Sequence, residues 1–190
     1  MYEAETDPYC YHNSGVLKNK ADLTDQAALE EYETAMTFAR SLEALPPGRF
    51  SITHYRAVHR HLFQDVYTWA GRFRRTRISK GTSAFCYPEH IAQEMRRLFL
   101  WLKQEQRFRD TSAANFAAKA AHFLAELNAI HPFREGNGRT QLTFSSMLAS
   151  DAGHPLDLDR LDTDAVLDAM IQSFSGNEEP LRILIQELIV

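Results

Sequence analysis

The stretch from Thr111 to Ile130 constrains the fold more than any other part of the chain. Phe116, Ala120, Phe123, Leu124, Leu127 and Ile130 recur at the three- and four-residue spacing of one helical face. Thr111-Ser112 supplies a start signal, and Pro132 disfavours helical geometry at His131, so the helix has to end there. A second helix begins around Asn137 and runs to about Asp151-Ala152-Gly153. Between the two lies His131-Pro132-Phe133-Arg134-Glu135-Gly136-Asn137-Gly138-Arg139, a loop dense in chemically useful side chains. The fold therefore has two central helices with this loop at their junction.

The remaining pattern is helical with one interruption. Residues 1–22 form an irregular arm with turn formers at Asp7-Pro8-Tyr9 and Asn13-Ser14-Gly15. A helix capped within Thr24-Asp25-Gln26-Ala27 follows, with Leu29, Tyr32, Met36, Phe38 and Leu42 recurring along it, before Pro46-Pro47-Gly48. Ser51 caps a helix containing Tyr55, Val58, Leu62 and Phe63. Residues 69–88 break the helical period and read as a β-hairpin over 72–87, with a wide turn near Lys80-Gly81-Thr82. Helices resume at Pro88, and two shorter ones near 163–174 and 178–188 complete the chain. The expectation is one mostly α domain over residues 1–190, with a single hairpin and no internal repeat.

Composition narrows the class. At 190 residues, 44% hydrophobic, with twelve Phe and seven Tyr, the chain can bury a sizeable core. A net charge of −4 argues against whole-surface binding to nucleic acid or to an anionic membrane. Two cysteines build neither a disulfide framework nor a cysteine-rich metal site, which suits a reducing compartment. The N-terminus lacks the pattern of a signal peptide and no apolar run reaches membrane-spanning length, so a cytoplasmic location is expected.

Each residue of the loop has a structural and a chemical reading. His131 can be a structural histidine or a base active near neutral pH. Glu135 can favour the dipole of the following helix, or it can hold Mg²⁺, which usually takes one or two protein carboxylates beside waters and phosphates. Gly136-Asn137-Gly138 can be a turn, or a set of backbone N–H groups offered to an anion at a helix start. Arg139 opposes the helix dipole by up to about 1 kcal/mol unless an anion lies nearby. Phe133 is an anchor that buries the loop. The commonest alternatives fail: Phe133 stands where Walker A needs its first glycine, Gln141 replaces the third glycine of a dinucleotide fingerprint, and no H-E-x-x-H occurs.

The nine residues 131–139 resemble the signature of the Fic (filamentation induced by cAMP) domain, H-P-F-x-[D/E]-G-N-G-R-x-x-R. Asp65-Val66-Tyr67-Thr68-Trp69-Ala70-Gly71 is similar to the segment entering the family's target-binding flap, and Gly15-Val16-Leu17-Lys18-Asn19-Lys20 to the start of its short toxin-like members. The resemblance implies a Fic-like helical domain with a flap at 72–87 and a catalytic loop and helix start at 131–142. It implies transfer of AMP from ATP to a hydroxyl of a target protein, with His131 as general base and Glu135 as ligand of Mg²⁺. Gly136, Asn137, Gly138 and Arg139 would hold the phosphates. The target would dock on the hairpin edge, with Lys80 and Thr82 positioning it. Arg72, Arg74, Arg75, Arg77 and Lys80 would form a charged edge that also discourages aggregation.

The sequence departs from the signature at its last position, where Leu142 stands in place of arginine and shares a helical face with Arg139. The departure implies a weaker or altered grip on the end of the triphosphate. The family's inhibitory [S/T]-x-x-x-E-[G/N] helix is approached only at Ser175-Gly176-Asn177-Glu178-Glu179, where Pro180 follows, so the resemblance implies a separate small antitoxin. It also implies a toxin of a toxin–antitoxin pair acting on a type II topoisomerase such as DNA gyrase. Two alternatives stand beside it: transfer of another phosphate-linked group such as UMP or phosphocholine, and a non-catalytic module that binds a nucleotide or partner.

Overall fold

The computed structural model describes residues 7–80 and 83–190, with every side chain among them except those of Lys80 and Ser83. Seven α-helices occupy these residues: α1 Gln26–Ser41, α2 Ile52–Phe63, α3 Pro88–Gln104, α4 Ala113–Ile130, α5 Asn137–Ala152, α6 Thr163–Phe174 and α7 Glu179–Leu188. None is long and apolar enough to cross a membrane. The expected starts hold in their chemistry. Asp25 accepts from the Ala28 N–H, Ser51 from that of His54 and Ser112 from that of Asn115.

α4 is the axis of the molecule, as its breadth of apolar surface requires. Nine of its residues are buried, and α3, α5, α6 and α7 all pack against it. A cluster of rings from four elements fills the space above its C-terminal half. Tyr55 stacks on Phe133 and meets Phe144 edge-on, and Phe99 packs against both Phe123 and Phe144. The loop residue Phe133 is fully buried in this cluster.

α1 departs from the expected pattern. Its inward face is Leu29, Glu33 and Thr37, spaced by four, while Phe38 and Leu42 are 64% and 73% exposed. Two polar residues take the buried positions because they face Arg139 in the first turn of α5.

The expected hairpin over 72–87 also requires correction. Among the described residues only Ser79–Lys80 (β1) and Ser83–Ala84 (β2) form strands, antiparallel, with Ser79 opposite Ala84 and Lys80 opposite Ser83, and one further bond crosses the segment, from the Phe85 N–H to the Ile78 carbonyl at 3.3 Å. The flanking segments direct their backbone groups elsewhere: the Arg74 N–H donates to the Pro132 carbonyl at 2.9 Å, and the Cys86 N–H to that of Ala129 at 3.0 Å. The segment is thus two extended stretches laid against the end of α4, with a short paired tip. Gly81 and Thr82, at the expected turn, lie outside the described residues.

The arm folds back on itself through a bridge between Cys10 and Leu17, and Asp7 reaches the central loop through an ion pair with Arg134 at 2.8 Å.

Candidate active site

The site is built from the end of α4 upward. His131 caps α4 in the left-handed conformation, φ 46° and ψ 63°, so the helix ends where Pro132 disfavours its continuation. Its ring lies flat on Phe85, with centroids 3.9 Å apart. Nδ1–H points at the Asn128 carbonyl at 3.3 Å, which makes Nε2 the nitrogen carrying the lone pair in that tautomer.

Arg74 holds this turn. The sequence places it in a charged edge, but it is 2% exposed. Its guanidinium donates to the carbonyls of His131 at 2.8 Å, Ile130 at 3.2 Å, Thr76 at 2.7 Å and Cys86 at 2.5 Å. The last carbonyls of α4 are thereby satisfied by a cation, the charge that a helix C-terminus prefers. Burial lowers the pKa of Arg74 from its ordinary value, and no carboxylate pairs with it among the described residues.

The loop is closed from inside by Asn137 and His59. The Asn137 amide accepts from the Phe133 N–H and donates to the Phe133 carbonyl, both at 2.9 Å. Its side-chain oxygen and one side-chain N–H are therefore occupied by the loop, while its backbone N–H remains to serve an anion. His59 of α2 is fully buried and stacked on Phe133 at 3.7 Å. Its Nδ1 accepts from the Gly71 N–H at 2.8 Å, and its Nε2–H donates to the Glu135 carbonyl at 3.0 Å. Burial pushes its pKa down to about 3, so it is a neutral strut beneath the loop.

α5 starts at Asn137 with no side-chain cap, and its first intrahelical bond runs from the Thr140 N–H to the Gly136 carbonyl at 3.1 Å. The N–H groups of Asn137, Gly138 and Arg139 precede that bond and form the positive end of the helix. The two glycines serve different needs. Gly136 has φ +79°, and a Cβ there would lie 2.2 Å from the Phe63 ring. A Cβ at Gly138 would meet nothing within 4 Å, so its openness faces space that a ligand can use.

Glu135 and Arg139 flank this helix start. The Glu135 carboxylate, 45% exposed, accepts from the Gly136 N–H at 2.8 Å through one oxygen. Arg139 is held on the α1 side by an ion pair with Glu33, by the Thr37 hydroxyl at 3.2 Å and by the face of Phe63 at 4.7 Å. Glu33 also accepts from the Tyr67 hydroxyl. The charge conflict of Arg139 with its helix is thus relieved by a protein carboxylate, not by a bound anion alone.

These residues open onto a cleft of about 700 Å³. His131, Glu135, Asn137 and Gly138 line its floor, while Val166, Leu167, Met170, Ile171 and Phe174 of α6 form an apolar wall. Leu142 lines both this cleft and the neighbouring one in which Arg139 lies. Four of the sequence-predicted site residues are brought together. Gly136 sits beneath them, Arg139 sits to one side, and neither Thr82 nor the Lys80 side chain is described. His59, Arg74, Glu33 and the α6 wall were not expected from the sequence. The only local signal was the four-residue phase of Glu33 and Thr37 with Leu29, which put them on a buried face.

No group of three or more potential metal ligands exists among the described residues. A single exposed carboxylate beside backbone N–H groups nevertheless fits Mg²⁺ carried in with a polyphosphate, because waters and phosphate oxygens supply the rest of its octahedron.

Known proteins resemble the chain in sequence and in fold. A probable protein adenylyltransferase of Sinorhizobium fredii, y4lH, is 51% identical over 189 residues, 99% of this chain and 98% of that one. The protein adenylyltransferase VbhT of Bartonella schoenbuchensis is 38% identical over 188 residues, 97% of this chain but 39% of its own length. The crystal structure of the BepC protein of Bartonella tribocorum, with bound AMPPNP, superposes with a TM-score of 0.87 at 26% identity, covering 96% of each chain. The Fic/DOC family model matches residues 49–149, just over half of the sequence. The chain belongs to the Fic/DOC family.

Proposed function

We propose that the protein is a protein adenylyltransferase, moving AMP from ATP to a side-chain hydroxyl of a target protein. The observation that carries this reading is the single cleft in which His131, Glu135 and the open start of α5 face an apolar wall. The names of the relatives at 51% and 38% identity support it, as does the AMPPNP bound to BepC.

In this reading the nucleotide lies with its base against α6 and its phosphates at the N–H groups of Asn137, Gly138 and Arg139. His131 Nε2 takes the proton of the acceptor hydroxyl as that oxygen attacks the α-phosphorus, and pyrophosphate leaves in line. General-base help of this kind contributes about 10²–10⁴-fold. Glu135 would hold Mg²⁺, which when bound neutralises charge on the phosphates. The rest of the acceleration comes from positioning, which Arg74, Asn137 and His59 secure by fixing the loop. The target lies along the extended segments at 72–87 and presents its hydroxyl beside His131. A separate antitoxin partner, a toxin role and a topoisomerase target such as DNA gyrase belong to the same proposal and rest on the family resemblance.

The test is label transfer. The protein and a bacterial lysate are incubated with Mg²⁺ and ATP labelled at either the α- or the γ-phosphate. Protein label from α but not γ, lost in His131→Ala, is the expected result. Label from γ would make the protein a kinase. Label from α-labelled UTP in place of ATP would make it a uridylyltransferase.

A further inference from the structure

A groove of about 880 Å³ lies between the start of α2 and the C-terminal half of α3, and it shares no lining residue with the catalytic cleft. Five cations line it, Arg49, Arg96, Lys103, Arg107 and Arg109, against one acid, Asp110. Asp151 pairs with Arg107 at 3.3 Å and also with Arg109. Arg49, Arg96 and Lys103 have no acidic partner among the described residues, and all three are exposed. Arg96, Leu100 and Lys103 follow one another at i, i+4 and i+7, so they share one face of α3. Leu100 is 55% exposed in the middle of that face. A bare leucine ringed by unpaired cations has the anatomy of a docking surface with an apolar centre and a charged rim.

The same chain carries the complement. Between Asp157 and Asp168 lie five aspartates, Asp157, Asp159, Asp162, Asp164 and Asp168, against a single Arg160. All but Asp157 are exposed, and so are Leu158 and Leu167, at 40% and 45%, the latter at the α6 wall of the cleft. This strip runs along the turn before α6 and its first half, on the element that forms the wall of the cleft. An acidic strip with bare leucines and a basic groove with a bare leucine match in sign and in apolar content. Single-stranded nucleic acid fits the groove less well, because its one strongly exposed apolar group is an aliphatic leucine and not a ring on which a base can stack.

We propose that the Arg49–Arg96–Lys103 groove docks the Asp157–Asp168 strip of a second copy of this chain. The contact is heterologous, since groove and strip are different surfaces, and it is held chiefly by charge. It also brings the second copy to the α6 side of the nucleotide cleft. The inference does not depend on which group the enzyme transfers.

Sedimentation velocity on the full chain tests it. In low salt the weight-average mass should rise above that of one chain as concentration increases. The association constant should fall by roughly tenfold or more when added salt shortens the screening length from about 10 Å toward 3 Å. Arg96→Glu with Lys103→Glu should abolish association, and so should Asp159→Arg with Asp164→Arg. Neither double variant alone should associate, whereas an equimolar mixture of the two should, because each restores the sign its partner lacks. Circular dichroism and melting temperature confirm that both variants fold, as expected for exposed sites. A wild type that stays monomeric at all concentrations overturns the proposal, as does a mixture that fails to associate or an association indifferent to salt. A monomer that retains a short DNA duplex through Arg96 and Lys103 would assign the groove to a polyanion instead.

Discussion

Gly136→Ala and Gly138→Ala change one methyl group each, two residues apart, and should move stability in opposite directions. At Gly136 the backbone has φ +79°, and alanine there costs about 1–2 kcal/mol relative to its preferred conformations. The new Cβ would also sit 2.2 Å from Phe63 Cζ and 2.4 Å from Cε2. That ring has little room to yield: it is fully buried, stacked on His59 at 4.7 Å, and Arg139 lies over its face. Overpacking of this kind costs about 1–3 kcal/mol. The two terms together predict roughly 2–5 kcal/mol, which for a chain of this size lowers the melting temperature by about 5–15 °C. At Gly138 the methyl meets open space and alanine is the better helix former, so stability should rise by about 0.5–1 kcal/mol. The same methyl projects where the proposed phosphate site lies and should weaken AMPPNP binding by about tenfold. Melting curves with calorimetric AMPPNP titrations separate the two effects. If Gly136→Ala melts with wild type, or Gly138→Ala binds AMPPNP as tightly as wild type, this account of the helix start is wrong.

Arg74→Met should destabilise the protein by about 3–5 kcal/mol in urea unfolding, because it leaves one buried and three part-buried carbonyls without their donor. His59 couples stability to acid. Its folded pKa of about 3 lies below the ordinary histidine value, so the unfolded chain takes up the proton first and the folded state loses ground as pH falls below about 6.5. Relative to His59→Asn, wild type should lose about 2 kcal/mol between pH 7.5 and pH 5, and an equal pH dependence in both proteins would refute the assignment. Leu142→Arg adds a cation at the edge of the cleft and should tighten ATP by about tenfold while leaving AMP nearly unchanged, as measured by competition titration.

The helices were legible because they rest on local signals. Ser51 and Ser112 announce their starts, and Pro132 forces the end of α4. The loop was legible because its residues are contiguous and their chemistry is restrictive. What escaped was everything set by partners distant in sequence. Arg74 looks like one of several cations in a solvated run, and nothing local says that its acceptors are carbonyls from residues 130 and 131. Bonds of the same kind explain the shortfall in sheet, since the backbone N–H groups of Arg74 and Cys86 donate to Pro132 and Ala129 at the end of α4 and not across the 72–87 segment. Phe38 and Leu42 were misleading for the opposite reason: their helical spacing is sound, but α1 turns its polar face inward to meet Arg139.

The guanidinium of Arg74 touches both extended stretches of the 72–87 segment and the backbone of His131 at once. Any polypeptide laid along that segment is therefore measured from the same origin as the imidazole. Choice of the modified residue then becomes a question of distance along a ruler. Under the proposed docking, a hydroxyl at the right number of residues along the bound strand would be presented to His131, and one a single residue away would project to the opposite side of the strand. An enzyme built this way can tolerate varied sequence in its target and still mark one position.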